Sequence, residues 1–234
     1  MASPPRQLTL ELPLEPSYRE DDFLIASSNN AAYATIMRWP HWLGRRLIIA
    51  GPPGSGKSHL AAIWAQRSGA RVLRASALQA AEAPALAQAA ALVIEDADLP
   101  PHQEAALFHL LNLAEERGAF VLLTAKTAPD RWGLTTPDLL SRLRLAPLCE
   151  LGAPDVALVR DVFVKLFADR QLAVEPALVG GLARHVERSL GTARALAERL
   201  DREALAQGKR ITRAMAAGIL ALDAEGAEDA EDAE

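Results

Sequence analysis

Five short apolar runs recur along the first two thirds of the chain and alternate with stretches of helical spacing. Each run is four or five residues long and continuously apolar, which is typical of parallel strands buried on both faces. The pattern therefore predicts an α/β fold built on a five-stranded parallel sheet. The predicted strands cover residues 47–50, 72–75, 91–94, 120–124 and 148–151.

The pattern changes at Pro154, after which no strand signal remains. Apolar residues recur at helical spacing from Val156 to Leu166, and Pro154 suits the first turn of a helix. Further helical stretches near 176–188, 191–206 and 211–222 predict a small all-helical lid domain. We expect four parts: a mobile N-terminal arm at 1–21, an α/β domain at 22–152, the lid at 153–222 and a disordered acidic tail at 223–234.

Charge and composition exclude several classes of protein. The net charge is −5, and seven acids lie in the last dozen residues, so the rest of the chain is near neutral. This argues against a strongly basic, DNA-coating protein. No apolar run approaches the roughly 20 residues of a membrane span, and no secretory signal is expected. The single cysteine, Cys149, predicts no internal disulfide and suits a reducing cytoplasm.

A phosphate-binding motif follows the first predicted strand. Residues 51–58 match G-x-x-x-x-G-K-[ST], in which small residues let backbone N–H groups close around phosphate oxygens at a helix N-terminus. Lys57 is expected to reach the β- and γ-phosphates, and Ser58 to ligate Mg²⁺. The candidate nucleotide contacts are Gly51, Pro52, Pro53, Gly54, Ser55, Gly56, Lys57, Ser58 and the adjacent His59.

The third predicted strand ends in two carboxylates, Glu95 and Asp96. In P-loop ATPases this pattern carries the acid on the Mg²⁺ side and the residue that polarises water. We therefore predict Ser58, Glu95 and Asp96 around the metal, with Asp96 on the water side. Since Glu95 stands where Asp is usual, the sequence leaves open whether the chain hydrolyses ATP itself.

Motifs in a shared order then resemble the DnaA branch of the AAA+ ATPases over roughly residues 22–222. In that family they form the phosphate loop, the stretch lining the adenine pocket, the helix before the fourth strand, the arginine-finger box and the second sensor of the lid. The matching segments are, in the same order, 56–60, 22–29, 107–112, 141–143 and 191–196.

The resemblance implies roles for four further residues. Arg142 takes the place of the arginine finger that acts in trans, with Arg144 as its rival two positions on. Arg194 takes the place of the phosphate-contacting lid arginine. Thr124, at the end of the fourth predicted strand, is either a sensor of the nucleotide or a cap of the chain turn.

The arm contains a segment, residues 7–12, that resembles the peptide by which proteins dock on the bacterial sliding clamp. In that mode Gln7 hydrogen-bonds in a polar pocket, and Leu8, Leu10 and Leu12 fill an apolar groove. The alternative is an ordinary edge strand, but the prolines that bracket the segment argue against one.

The replication initiator reads DNA with a helix-turn-helix domain after the lid and with a pair of helices inserted between the second and third strands. Neither element is expected here. The lid is expected to end near Leu222, and only about fifteen residues, 76–90, separate the second and third strands. With the clamp peptide, this resembles the Hda-type family of DnaA-related AAA+ proteins. That resemblance implies a cytoplasmic regulator that holds ADP or ATP with Mg²⁺, docks on the sliding clamp of DNA polymerase III and stimulates ATP hydrolysis by DnaA. It further implies weak or absent intrinsic ATPase activity, no sequence-specific DNA binding and a plausible homo-oligomer. The rivals are a free-standing ATPase of the helicase-loader type and a minimal initiator that binds DNA itself.

Overall fold

The computed structural model describes residues 18–98, 103–186 and 188–221. The predicted clamp peptide and acidic tail lie outside the described residues. The described chain divides between Ala153 and Pro154 into two compact units. In the described residues, no helix is both long and apolar enough to cross a membrane.

The first unit contains the five-stranded parallel sheet that the sequence predicts, with the strand order β2-β3-β4-β1-β5. In the register of the central strands, Ile49 lies opposite Thr124 of one neighbour and Cys149 of the other. The strands are β1 (Arg46–Ala50), β2 (Arg71–Arg74), β3 (Ala91–Glu95), β4 (Phe120–Ala125) and β5 (Leu148–Glu150).

The prediction that the strands are buried on both faces is confirmed for the three inner strands but is wrong for the two edge strands. The residues of β1, β3 and β4 are almost all buried, whereas Val72 on β2 is 51% exposed and Leu148 on β5 is 40% exposed. An edge strand has a neighbour on one side only, so its ends and outer side are less covered. An apolar run identifies such a strand but does not reveal its place in the sheet.

Helices cover both faces of this sheet. Alternate residues of each inner strand point to opposite sides, so Leu47 and Ile49 pack with Trp64 of α2, while Ile48 packs with Leu110 of α4. The segment between β2 and β3 is short and forms 3-10 turns and the four-residue α3. The helices are α1 (Asn30–Met37), α2 (Lys57–Ser68), α3 (Ala83–Leu86), α4 (Glu104–Glu116) and α5 (Pro137–Arg144).

The second unit is helical, as predicted, and has its own core around Phe163, Leu182 and Leu200. Its first helix begins at Val156, two residues after the Pro154 that the sequence suggests for its first turn, because the Asp155 side chain accepts the Leu158 N–H at 2.7 Å and caps the helix. Pro154 therefore precedes the cap. The helices are α6 (Val156–Asp169), α7 (Pro176–His185), α8 (Leu190–Gln207) and α9 (213–221).

A buried carboxylate fixes the start of α5. Glu104, 5% exposed at the first position of α4, accepts the backbone N–H groups of Thr135 and Thr136, each at 2.8 Å. Burial alone would raise the pKa of Glu104, but the hydrogen bonds from Thr135 and Thr136 outweigh it and hold the pKa below its ordinary value of 4.5. Because Thr136 caps α5, this carboxylate joins α4 to the helix that carries Arg142.

We predict that Glu104→Gln lowers the free energy of unfolding by about 1–3 kcal/mol at pH 7, because the charged acceptor is lost. A lowered folded-state pKa gives stability that is present above the unfolded value and lost as the pH falls through the folded value. The difference between the variant and the wild type should therefore shrink below about pH 4.5. Urea unfolding of both proteins from pH 7 to pH 3.5 measures this, and a pH-independent difference would contradict it.

Candidate nucleotide-binding site

The phosphate motif lies between the end of β1 and the start of α2. The chain leaves β1 at Ala50, and α2 begins at Lys57. Gly54 and Gly56 have φ angles of 70° and 100°, values that favour glycine, and they turn the loop into the helix. This is the strand–loop–helix arrangement that the motif predicts.

The loop leaves no space for a side chain at its first position. A Cβ atom on Gly51 would lie 2.6 Å from the Leu151 carbonyl oxygen and 3.0 Å from Ser55 Oγ. Ser55 is buried, and its hydroxyl has no hydrogen-bond partner among the residues described. A buried hydroxyl without a partner is unfavourable. The loop therefore keeps a hydrogen-bonding capacity that suits a phosphate oxygen.

The Lys57 ammonium group lies within the loop. Its side chain is 8% exposed and donates to the carbonyls of Gly51 and Pro52 at 2.8 and 2.9 Å. Burial lowers the pKa of Lys57 below its ordinary value of 10.5; the carboxylates of Asp96 and Asp98 oppose this shift. The cation is thus partly desolvated beside polar groups, and an anion placed here would offset that cost.

Backbone groups of the first turn of α2 add to the anion site. The helical hydrogen-bond ladder begins with the Leu60 N–H, which donates to the Gly56 carbonyl at 3.1 Å. The N–H groups of Lys57, Ser58 and His59 precede that bond and point out of the helix end, where its dipole favours negative charge. The loop and the helix end together can hold the phosphates of a nucleotide.

The His59 imidazole packs residues 18–23 onto α2. Its Nε2 lies 2.8 Å from the Arg19 carbonyl oxygen, and its ring contacts those of Tyr18 and Phe23, each at 5.2 Å between centroids. Phe23 belongs to the segment 22–29 that the resemblance assigns to the adenine pocket. The nucleotide contact of His59 stays a prediction.

Thr124 joins the ends of β3 and β4. Its buried hydroxyl accepts the Asp96 N–H at 3.2 Å, and its carbonyl accepts the Ala97 N–H at 2.7 Å. Asp96 itself adopts a φ of 53°, uncommon for a residue with a side chain. The contact agrees with the capping alternative for Thr124; the role of a sensor stays a prediction.

Asp98 is a site residue that the sequence analysis missed. Its Oδ2 accepts the Lys126 N–H at 2.9 Å, and its charge acts on Lys57 together with that of Asp96. Glu95, opposite Arg74 in the sheet register, is not among the charges that shift the pKa of Lys57. The sequence signal that could have identified Asp98 is a third acid beyond the end of the strand, two positions after Asp96.

The predicted magnesium ligands Ser58, Glu95 and Asp96 remain a prediction. Across the described ranges, no group of three or more His, Cys, Asp or Glu side chains is placed to hold a metal ion. Nucleotide-bound Mg²⁺ takes few protein ligands, since phosphates and water supply most of its oxygens. The exposed Ser58 and Asp96 side chains fit that lighter requirement.

The segment assigned by resemblance to the adenine pocket lies beside the loop. Asn29 is buried and fixes a turn, accepting the Ala26 N–H at 2.8 Å and donating to the Leu24 carbonyl at 2.9 Å. The Ser28 carbonyl accepts the Gly152 N–H at 2.9 Å, one residue after the Leu151 that borders the phosphate loop. Residues 22–29 thus connect to the loop through the chain that follows β5.

Arg142 lies near the amino end of β1, opposite the end that leads into the phosphate loop. Its Nη1 donates to Glu115 at 2.6 Å, and the same carboxylate oxygen accepts Arg46 Nη2 at 2.7 Å. Arg46 begins β1, whereas the phosphate loop follows the last residue of β1. The Cα atoms at the two ends of this five-residue strand are four spacings of about 3.3 Å apart, or roughly 13 Å. The structure therefore does not bring Arg142 to the loop of its own chain.

The two other candidate arginines lie elsewhere. Arg144 donates through Nε to Asp130 at 2.7 Å, so the rival of Arg142 has a different partner. Arg194 lies in the second unit, near the start of α8, and its phosphate contact stays a prediction.

No protein-family model and no curated protein matches the sequence. Solved structures match the fold. Domain III of the replication initiation protein DnaA from Thermotoga maritima has a TM-score of 0.75 at 19% identity, over 90% of this chain and 98% of that chain. AMPPCP-bound DnaA from Aquifex aeolicus gives 0.66 at 18%, over 80% of this chain and 66% of that chain. The Thermotoga maritima RuvB Holliday junction branch migration motor gives 0.66 at 19%, over 88% and 72%. The chain thus has a DnaA-like AAA+ fold.

Proposed function

We propose that this chain is an adenine-nucleotide-binding regulator of chromosome replication initiation. It docks on the DNA polymerase sliding clamp and stimulates ATP hydrolysis by DnaA through an arginine finger supplied in trans, which prevents over-initiation. In this it resembles Hda, the regulatory factor that promotes ATP hydrolysis by DnaA. The observation that carries the proposal is the placement of Arg142 near the amino end of β1, opposite the end that leads into its own phosphate loop.

Adenine-nucleotide binding is supported by the loop and by its structural neighbours. One similar structure is DnaA bound to AMPPCP, an adenine nucleotide analogue. In this chain the buried Ser55 hydroxyl, the Lys57 ammonium and the first turn of α2 suit the phosphates, with Ser58 and Asp96 available to Mg²⁺. Bound Mg²⁺ would neutralise phosphate charge, while these residues bind and orient the nucleotide.

Action in trans is supported by this separation. The Arg142 guanidinium is bridged through Glu115 to Arg46 at the amino end of β1, and roughly 13 Å of strand lies between that end and the end that leads into the loop. The Arg142 guanidinium is available to the nucleotide of a second P-loop protein that packs near the amino end of β1. An arginine so placed stabilises charge on the transferring phosphoryl group and accelerates hydrolysis by about 10³–10⁵. ATP on DnaA is the substrate of this reaction.

The clamp-docking segment would supply localisation rather than chemistry. The described chain begins at Tyr18, whose carbonyl accepts Gln66 Nε2 at 3.2 Å, so residues 7–12 are tethered to the folded protein a few residues away. A short tether raises the effective concentration of one binding module near another. A clamp on replicated DNA would thus place Arg142 near the initiator.

A free-standing ATPase of the helicase-loader type is the second candidate. It is favoured by the carboxylates of Asp96 and Asp98, which are near enough to Lys57 to oppose the lowering of its pKa by burial. It predicts sustained ATP turnover by the isolated chain that Asp96→Asn abolishes. Tight ADP in the purified protein, without turnover, would favour the regulator.

We predict that Lys57→Ala weakens ADP binding about tenfold or more, because a charge-assisted hydrogen bond to phosphate is lost. Lys209→Ala, on the exposed turn after α8, is the matched control and should bind ADP as the wild type does. Isothermal titration of each protein with ADP measures the affinity. Equal affinities for both variants would contradict the assignment of the loop.

We predict that Arg142→Ala removes stimulation of DnaA ATPase activity, a loss of about 10³-fold at full effect, while ADP and clamp binding are kept. The assay measures phosphate release by DnaA with this protein, ADP and clamp loaded on DNA, each omitted in turn. Arg144→Ala is the control on the same helix. Retained stimulation in the Arg142 variant would remove this residue from its role.

We predict that Gln7→Ala combined with Leu10→Ala abolishes clamp capture, since both the polar and the apolar anchor are removed. Thr9→Ala, within the same segment, should leave capture unchanged. Surface-bound clamp and titrated protein give the affinity, and ADP titration shows that the fold is kept. Clamp binding that survives the double substitution would contradict the docking assignment.

A further inference from the structure

Arg142 is part of a cluster of three charged side chains, which we call the Glu115 bridge: Arg46, Glu115 and Arg142. One oxygen of Glu115 accepts from both arginines, at 2.7 and 2.6 Å. The Arg46 side chain is 13% exposed, whereas that of Arg142 is 39% exposed. The Arg46 side chain is therefore the less exposed of the two, and the Glu115 carboxylate connects it to the more accessible Arg142.

The buried arginine anchors the bridge to rigid structure. Arg46 is the first residue of β1, and its Nη2 also donates to the Leu111 carbonyl at 3.1 Å. It thereby ties the C-terminal end of α4 to the sheet. Arg46 thus holds the same Glu115 oxygen that accepts from Arg142, on a glutamate whose side chain is 58% exposed.

The Phe108 ring makes a second contact with the Arg142 guanidinium. The central carbon of the guanidinium lies 5.6 Å from the centre of the Phe108 ring. Phe108 and Glu115 are seven positions apart, so they share one face of α4 two turns apart. Asn112 lies on the same face between them, and its buried Oδ1 has no partner within the part of the chain that the structure describes. This face of α4 therefore receives Arg142 with a ring and a carboxylate.

The contacts leave most of the guanidinium available. Arginine has five N–H donors, and the bond to Glu115 starts from Nη1 alone. A donor group held at two points loses less freedom when it binds a phosphate, because its orientation is already set. The bridge also keeps a net charge of +1, since two arginines share one carboxylate.

We propose that Glu115 is a positioning residue for Arg142, holding the guanidinium against Phe108 in the orientation in which it meets the nucleotide of the partner. The inference rests on the proposed function of Arg142. Glu115 touches no substrate and acts through the arginine. Arg46 acts one step further back by holding Glu115.

The test compares Glu115→Gln with Glu116→Gln, the same change at the next residue of α4. Glu115→Gln removes the charge and keeps the size, and we expect the maximal rate of stimulated DnaA ATP hydrolysis to fall about two- to fivefold. The concentration of this protein at half-maximal stimulation should stay within about twofold, since positioning affects the rate rather than association. Glu116→Gln should match the wild type, and Arg46→Ala should lower the rate in the same direction as Glu115→Gln.

A measurement on the isolated full chain separates this inference from the proposed function. In nitrogen-15 NMR spectra, the Nη resonances of Arg142 should show hindered rotation in the wild type and in Glu116→Gln, and lose it in Glu115→Gln. Full stimulation by Glu115→Gln, or unchanged Arg142 resonances, would overturn the inference. If the wild type stimulates no hydrolysis, the proposed function fails, while the spectra still report whether Glu115 orders Arg142.

Discussion

The close passage of the chain past Gly51 is the constraint on which the site depends. The backbone after β5 approaches so near that a Cβ at this position would lie 2.6 Å from the Leu151 carbonyl oxygen. Only glycine allows that approach, and it brings the phosphate loop together with the chain that contacts residues 22–29. Substitution here would separate the phosphate loop from residues 22–29 rather than merely strain a turn.

The phosphate loop and the Glu115 bridge lie at opposite ends of the parallel strands. At the carboxyl ends of the strands lie the loop, Asp96, Asp98 and Thr124. The side chains of Thr124 and Asp98 accept the backbone N–H groups of Asp96 and Lys126, and the Ala125 carbonyl accepts the Gly51 N–H. At the amino end of β1 lies the Glu115 bridge. Parallel strands all point the same way, so this polarity is built into the fold. Under the proposed function, one chain therefore holds its own nucleotide at one end of the strands and presents Arg142 to another nucleotide at the other end.

The elements near the loop were largely predictable, because local signals specify them. Apolar runs located all five strands, and the phosphate motif located the start of α2. The exposed edges were not predictable, since strand order is absent from local pattern. The contacts of Glu104 with Thr135 and of Glu115 with Arg142 join residues 31 and 27 positions apart, and charged residues on helices give no sign of such partners. Asp98 was missed because an acid beyond a strand end is usually solvated.

The attachment of residues 18–23 to α2 has a mechanical consequence. Tyr18 and Arg19 present their carbonyl oxygens to Gln66 and His59, so the described chain begins by being fastened along this helix. A load applied to the chain ahead of Tyr18 therefore first meets its contacts with α2. One of these contacts is His59, in the first turn of α2, and that turn follows the phosphate loop directly. A pull from outside thus reaches the border of the phosphate loop through α2.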